Sequence, residues 1–233
     1  TVYFPGCGED FLSTKEEKLV EIVKDNLADG RGCIVYCHYT SSYAVHHRVR
    51  DVLKRYGIDS VAVLESNVSP DERVEWLAEQ SKKGTKVLIC NMALVETGLD
   101  LLHWPTIIYH QLSYDVNTVR QSSRRAWRVG QTRECRVYYL VAQGTQQMAQ
   151  FQTILEKRAH ALMTEGRLDK SELKGFVKDS RMSLAADIAR CIADEDIGLK
   201  WTKLAEKDLE DVEMYDEAEF QVVLKKAQKM LAA

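Results

Sequence analysis

The sequence contains no run of about 20 apolar residues, the length a helix needs to cross a bilayer. It has no basic and apolar leader at its start, Thr1-Val2-Tyr3-Phe4-Pro5-Gly6, so nothing there reads as a secretory signal. No Cys-x-x-Cys occurs among its 6 cysteines, which excludes the common zinc and redox frameworks and predicts buried free thiols. No Gly-x-x-x-x-Gly-Lys-Ser/Thr occurs either, so a backbone cradle for nucleotide phosphates is missing. There is no Pro/Gly/Ser linker and no internal repeat. The absent initiator Met predicts a fragment of a longer chain.

What is present suits a folded protein. The chain has 233 residues, 45% hydrophobic and 29% charged, enough for one ordinary domain plus an appendage. The net charge of -3 conceals an asymmetry. Arg120, Arg124, Arg125, Arg128, Arg133 and Arg136 crowd one stretch, whereas 194–219 is rich in acids. A local basic field of this kind is compatible with a nucleic-acid partner.

Periodicity orders the elements. Ser13 with Glu16 makes a capping box for a helix to about Ala28. Cys33 to Cys37 reads as a buried strand, and Ser41 or Ser42 as the cap of a helix to Tyr56. Ser60 to Leu64 is a second strand, and Ser69-Pro70 starts a helix. Lys86 to Cys90, Thr106 to Tyr109 and Arg136 to Val141 are further strands. A helix from about Val116 to Arg128 precedes the last of them. Thr145 to Glu165, Ser171 to Asp194 and about Glu217 to Leu231 read as helices. The alternation predicts an α/β fold, a parallel sheet with helices on both faces, followed by a helical C-terminal extension. Chemistry in such sheets sits at the carboxyl ends of the strands, here Tyr39-Thr40-Ser41, Asn91 to Asp100 and His110 to Asp115.

Three segments carry chemistry. In Gln121-Ser122-Ser123-Arg124-Arg125-Ala126-Trp127-Arg128-Val129-Gly130-Gln131, a continuous helix would place Gln121, Arg125 and Arg128 on one face. Two guanidiniums a turn apart can grip a phosphate chain, against the plainer reading of a solvated basic face. In Asn91 to Leu101, Gly98 would let backbone approach a ligand, Thr97 offers a hydroxyl to phosphate and Asp100 an acceptor pair to a sugar. In Tyr36 to Ser42, a strand running into a hydroxyl-rich helix start makes an anion site or a simple N-cap. Asp71-Glu72 follows Ser-Pro rather than a strand, so its acids read as dipole partners and not as magnesium ligands. Gly30-x-Gly32 precedes a strand and lacks a third glycine, so it is no dinucleotide loop. His38, His46 and His47 show no ligand partners along the sequence and read as surface or capping residues. No metal site is expected.

Taken together, these segments resemble the C-terminal lobe of superfamily 2 helicases, closest to Swi/Snf-type DNA translocases and their bacterial or phage relatives. Gln121, Arg125, Arg128, Gly130 and Gln131 match the family's last motif, with Arg124 where a glycine is usual. Gly98-Leu99-Asp100 match the preceding motif, with Val95 and Glu96 where glycines are common. The resemblance covers about Gly32 to Val141. It implies a RecA-like lobe over residues 1–165, with a helical acidic extension over 166–233. It implies that Arg125 and Arg128 act as arginine fingers on ATP, with Gln121 orienting the site. Asp100, Gly98 and Gln131 would touch ATP, and Tyr39, Thr40, Ser41 and Thr97 the nucleic-acid backbone. The ATP and its Mg2+ would be held by a separate N-terminal RecA-like lobe of the same protein. The partner would be DNA, duplex by the translocase analogy, and the setting cytoplasmic or nucleoid-associated. The fragment alone would be inactive. The alternatives are a degenerate lobe that serves as a binding module, and a DEAD-box-like RNA helicase lobe.

Overall fold

The computed structural model describes residues 11–41, 43–95, 98–167, 200–204 and 207. The chain divides into two compact units, Thr1–Phe151 and Gln152–Ala233. Of the expected elements, the helices at 171–194 and 217–231 lie outside the described residues, as do Ser42 and Thr97.

The first unit is a parallel α/β sheet. α1 (Thr14–Ala28) starts at Ser13, whose hydroxyl accepts from the Glu16 backbone while the Glu16 carboxylate accepts from the Ser13 backbone, as the capping box requires. Then come β1 (Cys33–Tyr36), α2 (Val45–Arg55), β2 (Val61–Leu64), α3 (Arg73–Lys82) and β3 (Val87–Cys90). A 3-10 turn (Met92–Val95), β4 (Thr106–Tyr109), α4 (Val116–Ser123), β5 (Arg136–Tyr139) and α5 (Gln146–Thr164) follow. The strand order is β2-β3-β1-β4-β5, every pair parallel. β1, β3 and β4 are buried throughout, as interior parallel strands covered on both faces must be.

The two-residue period of the strands sorts their side chains. Cys33, Val35, Val87, Ile89 and Ile108 face Leu19 and Val23 of α1 and Val49, Val52 and Leu53 of α2 in one core cluster. From the alternate positions of β1 and β4, Tyr36 and Tyr109 reach α4 instead. Beneath the sheet, Gly32 leaves no room for a side chain: a Cβ there would sit 2.6 Å from the His103 carbonyl and 2.9 Å from the Trp104 ring. The Trp104 indole donates to the Thr85 carbonyl at 2.9 Å, so this glycine serves packing. Burial pushes the Cys33 and Cys37 thiols up to about 12 and Cys90 higher still, so these three remain inert thiols. No helix among the described residues is long and apolar enough to cross a membrane.

Three element boundaries differ from the sequence expectation. α2 is not capped by Ser41; its N-cap is Ala44, in the left-handed region at φ 44. Ser69-Pro70 leads a turn, in which the Ser69 hydroxyl donates to the Glu72 carboxylate at 2.7 Å, and α3 begins only at Arg73. α4 stops at Ser123 and does not reach Arg128. Its start is conventional, with the Asp115 carboxylate accepting from the Asn117 backbone at 2.9 Å. Its last turn carries two serine back-bonds, which weaken a helix. The Ser122 hydroxyl donates to the Thr118 carbonyl at 2.7 Å and the Ser123 hydroxyl to that of Arg120 at 2.8 Å. Beyond them the backbone tightens, with Arg124 donating to Gln121 and Arg125 to Ser122.

In the second unit, the Arg158 guanidinium lies 5.6 Å from the centre of the Trp201 ring, a cation–π distance.

Candidate nucleotide and nucleic-acid site

The carboxyl rim of the sheet is built around a reversal of direction. β1 and β4 are neighbours, yet the chain leaving β1 turns toward β2 while the chain leaving β4 turns toward β5. Parallel sheets open a crevice at such a point. Here Gln111, the second residue after β4, closes the base of that crevice. Its Oε1 accepts from the backbones of both His38 and Tyr39 at 3.1 Å, and its buried Nε2 has no hydrogen-bond partner among the described residues. A cavity of about 30 Å³ beside it is lined by Lys15, Tyr39, Gln111 and Gln147, among others. Burial pulls the Lys15 ammonium down to about 8, and its Nζ donates to Gln147 Oε1 at 2.7 Å. Sequence reasoning marked the stretch His110 to Asp115 but did not single out Gln111 or Lys15.

Next to the crevice, the Tyr39 ring meets Tyr43 edge-on at 6.0 Å, and both rings are exposed. Asn91, just past β3, donates to the His38 carbonyl at 3.0 Å and to the Thr40 hydroxyl at 3.3 Å. It therefore joins the loops after β1 and β3 into one surface. Ser41 is exposed on that surface. Gly98 has φ +67, with open space where a Cβ would stand.

The arginine segment is held from below by two phenols. Tyr36 donates to the Ser122 carbonyl at 3.2 Å, and Tyr109 to the Val119 carbonyl at 2.9 Å. After α4 the chain is sewn to the loop that carries Asp100. Leu101 donates to the Arg125 carbonyl at 3.0 Å. The Gln131 amide donates to the Ala126 carbonyl at 2.9 Å and to the Leu102 carbonyl at 3.1 Å, while its oxygen accepts from the Arg133 backbone. Gln131 is thus the staple between the two segments.

This arrangement corrects the expectation of one shared helix face. Gln121 lies on α4 and is exposed, whereas Arg125 and Arg128 follow the helix in irregular backbone. Their environments differ. Arg125 does not point away from the core but is only 8% exposed. The Arg128 side chain is 42% exposed, and its Nη1 lies 3.1 Å from Asp100 Oδ1. The structure therefore brings Arg128 and Asp100 together at the rim, while Gln121 stands in the preceding helix.

Comparison with known proteins agrees with this architecture. The family model of the helicase conserved C-terminal domain matches residues 14–130. A protein of Bacillus subtilis (strain 168) named as a candidate ATP-dependent helicase/translocase, YwqA, is 26% identical over 133 residues, 57% of this chain and 14% of that one. The C-terminal part of the Fun30 ATPase domain superposes with a TM-score of 0.56 at 19% identity, covering 61% of this chain and 45% of that one. The Pyrococcus furiosus Hef helicase domain gives 0.45 at 22% identity, over 59% of this chain and 27% of that one. The chain thus spans a small part of that curated relative and under half of these solved structures. The five-stranded parallel sheet is a RecA-like helicase C-lobe, and the chain belongs to the helicase conserved C-terminal domain family.

Proposed function

We propose that this lobe supplies the arginine half of a bipartite ATP site, in a protein that moves along DNA. The observation that carries the reading is the pairing of Arg128 with Asp100 at the carboxyl rim, on two segments joined by a backbone hydrogen bond and by the Gln131 amide. The residues fit half of a nucleotide site. A solvent-accessible guanidinium can fork onto phosphate oxygens, and the neighbouring carboxylate can accept from a ribose hydroxyl once the ion pair opens. With no phosphate loop in the chain, the nucleotide and its Mg2+ belong on an N-terminal lobe, and this fragment alone turns over negligibly. Bound there, the nucleotide contributes the phosphoanhydride bond that water cleaves. Arg128 is positioned to spread the developing negative charge, an effect worth ~10³–10⁵ in rate for arginine fingers. Gly98 and Gln131 shape the loop that presents Asp100, and Gln121 stands on the preceding helix.

Tyr39, Thr40, Ser41 and Thr97 are the proposed contacts to the nucleic-acid backbone. Hydroxyls and phenols at a strand rim bind phosphates with little sequence preference; Tyr39 and Ser41 are exposed there, and Thr40 is half-buried. Cycles of lobe closure and release would turn these contacts into steps.

The test restores the native first lobe. ATP turnover is measured with duplex DNA, with single-stranded DNA and with RNA, for the parent and for Arg128→Ala. DNA-stimulated turnover that falls by orders of magnitude in the variant supports the reading. Turnover stimulated by RNA alone would move the lobe to the DEAD-box-like class. A second reading, a lobe that binds without assisting hydrolysis, gains support from the burial of Arg125, which is 8% exposed and would have to be uncovered to serve as a second finger. Absence of turnover together with intact DNA binding would decide for it.

A further inference from the structure

Away from the arginine segment, the loop after β2 meets the first turn of α2. β2 ends at Leu64, so Glu65 emerges at the carboxyl rim. α2 begins at Val45, so His46 and His47 occupy its first turn. The His47 Nε2 lies 3.4 Å from Glu65 Oε1. The two imidazoles lie 4.0 Å apart, centre to centre. One ligand atom from each of His46, His47 and Glu65 can be chosen so that all lie within 4.8 Å of one another.

A second observation separates this cluster from a surface ion pair. His46 is 6% exposed, and its Nδ1 is buried without a hydrogen-bond partner among the described residues, as is that of His47. Buried polar nitrogens ordinarily find partners, so orphaned ones call for a ligand. The three residues line one cavity of about 250 Å³ with Thr40, Ser41 and Ser66. Ala44, also on its wall, holds φ 44, a conformation that side-chain-bearing residues seldom adopt and that fixes the entry into α2.

The geometry points to a binding site for a borderline divalent transition-metal ion, Zn2+ foremost, formed by His46, His47 and Glu65. Two imidazoles and one carboxylate are the donor set that Zn2+ accepts at about 2.0–2.2 Å, in the open arrangement that leaves a fourth position to water. Ca2+ and Mg2+ prefer all-oxygen shells, so they should compete poorly. The exposed His47 and Glu65 side chains are free to close the remaining distance, with side-chain exposures of 37% and 39%. The N-terminal turn of α2 carries the positive end of the helix dipole, which opposes a cation. The Glu65 carboxylate must offset that field, which makes it the most sensitive of the three ligands. Bound metal would tie α2 to the end of β2 and add rigidity to the surface carrying Thr40 and Ser41. This inference does not depend on the arginine half-site.

The test uses the tag-free 233-residue chain after chelator treatment. Calorimetric titration with Zn2+ should give one ion per chain. Co2+ should give the visible absorption of a four- or five-coordinate ion that Zn2+ displaces. His46→Ala, His47→Gln and Glu65→Gln should each weaken Zn2+ binding by about 10-fold or more, on the scale by which altered metal surroundings act. His103→Gln, at the opposite end of the sheet, should not. Far-UV circular dichroism checks the fold. The solvent-facing His47→Gln and Glu65→Gln keep the test decisive if the buried His46→Ala unfolds. Zn2+ affinity unchanged in both of these variants, or absence of saturable Zn2+ binding by the parent, would overturn the proposal.

Discussion

The guanidinium of Arg128 lies 3.1 Å from the carboxylate of Asp100, across two segments joined by the Leu101 donation to the carbonyl of Arg125 and by the Gln131 amide. Both side chains are substantially exposed, and an ion pair of this kind contributes ~0–1 kcal/mol. Arg128→Ala should therefore move the melting temperature little while lowering ATP turnover of the two-lobed protein by about 10³-fold or more. Arg128→Lys should fail to restore the rate, because an ammonium lacks the planar fork. Equal losses of stability and turnover would mark the residue as structural.

Arg125 should behave in the opposite way. It is 8% exposed, in contrast to the solvated Arg128. Arg125→Ala empties a packed position and should cost roughly 2–3 kcal/mol in urea denaturation, clearly more than Arg128→Ala. Similar denaturation midpoints for the two variants would contradict a structural role peculiar to Arg125.

Tyr109→Phe removes the phenol that holds the carbonyl of Val119 and the hydroxyl of Ser122. The loss of those bonds in a buried setting should cost about 1–2 kcal/mol. Hydrogen exchange should rise first at the end of α4, at Ser122 to Arg125. Unchanged protection there would show that Tyr36 and the serine hydroxyls hold the segment without Tyr109.

His110 supplies a pH signature. Burial, reinforced by the positive Lys15 and Arg48, lowers its pKa to about 3 from an ordinary 6.5. Both ring nitrogens lack partners among the described residues. Below pH 6.5 the unfolded chain takes up a proton that the fold refuses. Its stabilising contribution is thus complete above 6.5 and declines as pH falls toward 3. Between about pH 7.5 and 5, the parent should lose up to about 2 kcal/mol that His110→Leu does not lose. Parallel pH profiles for the two proteins would contradict a buried neutral imidazole.

Thr40→Ala and Thr97→Ala should weaken DNA binding by the two-lobed protein without altering sequence preference, since phosphate contacts carry none. Affinity measured at low salt checks this. No change in either variant removes the pair from the track.

Local chemistry made much of this architecture readable. The Ser13–Glu16 box and the β-branched strands are short-range signals, and each stands where the sequence placed it. The end of α4 was not readable, because Ser122 and Ser123 suit a helix as well as they suit its termination. What decides is their backbone bonding together with Tyr36 and Tyr109, which arrive from other strands. The start of α2 was obscured because two serines resemble caps, whereas the structure uses Ala44. For the site, the rim segments and the exposure of Arg128 were legible. The burial of Arg125 and the Gln131 bridge were not, because both arise from contacts distant in sequence. Glu65 beside His46 and His47 is hidden for the same reason: β2 must pair with β3 before that glutamate comes near.

The Gln131 bridge bears on how such lobes can be recombined. One amide reads the carbonyls of Leu102 and Ala126 together, so neither segment has a complete set of partners without the other. A chimera that imports only the stretch around Asp100 would misplace carbonyls that the resident glutamine must meet. Transplants of activity between relatives should exchange both stretches as a single graft.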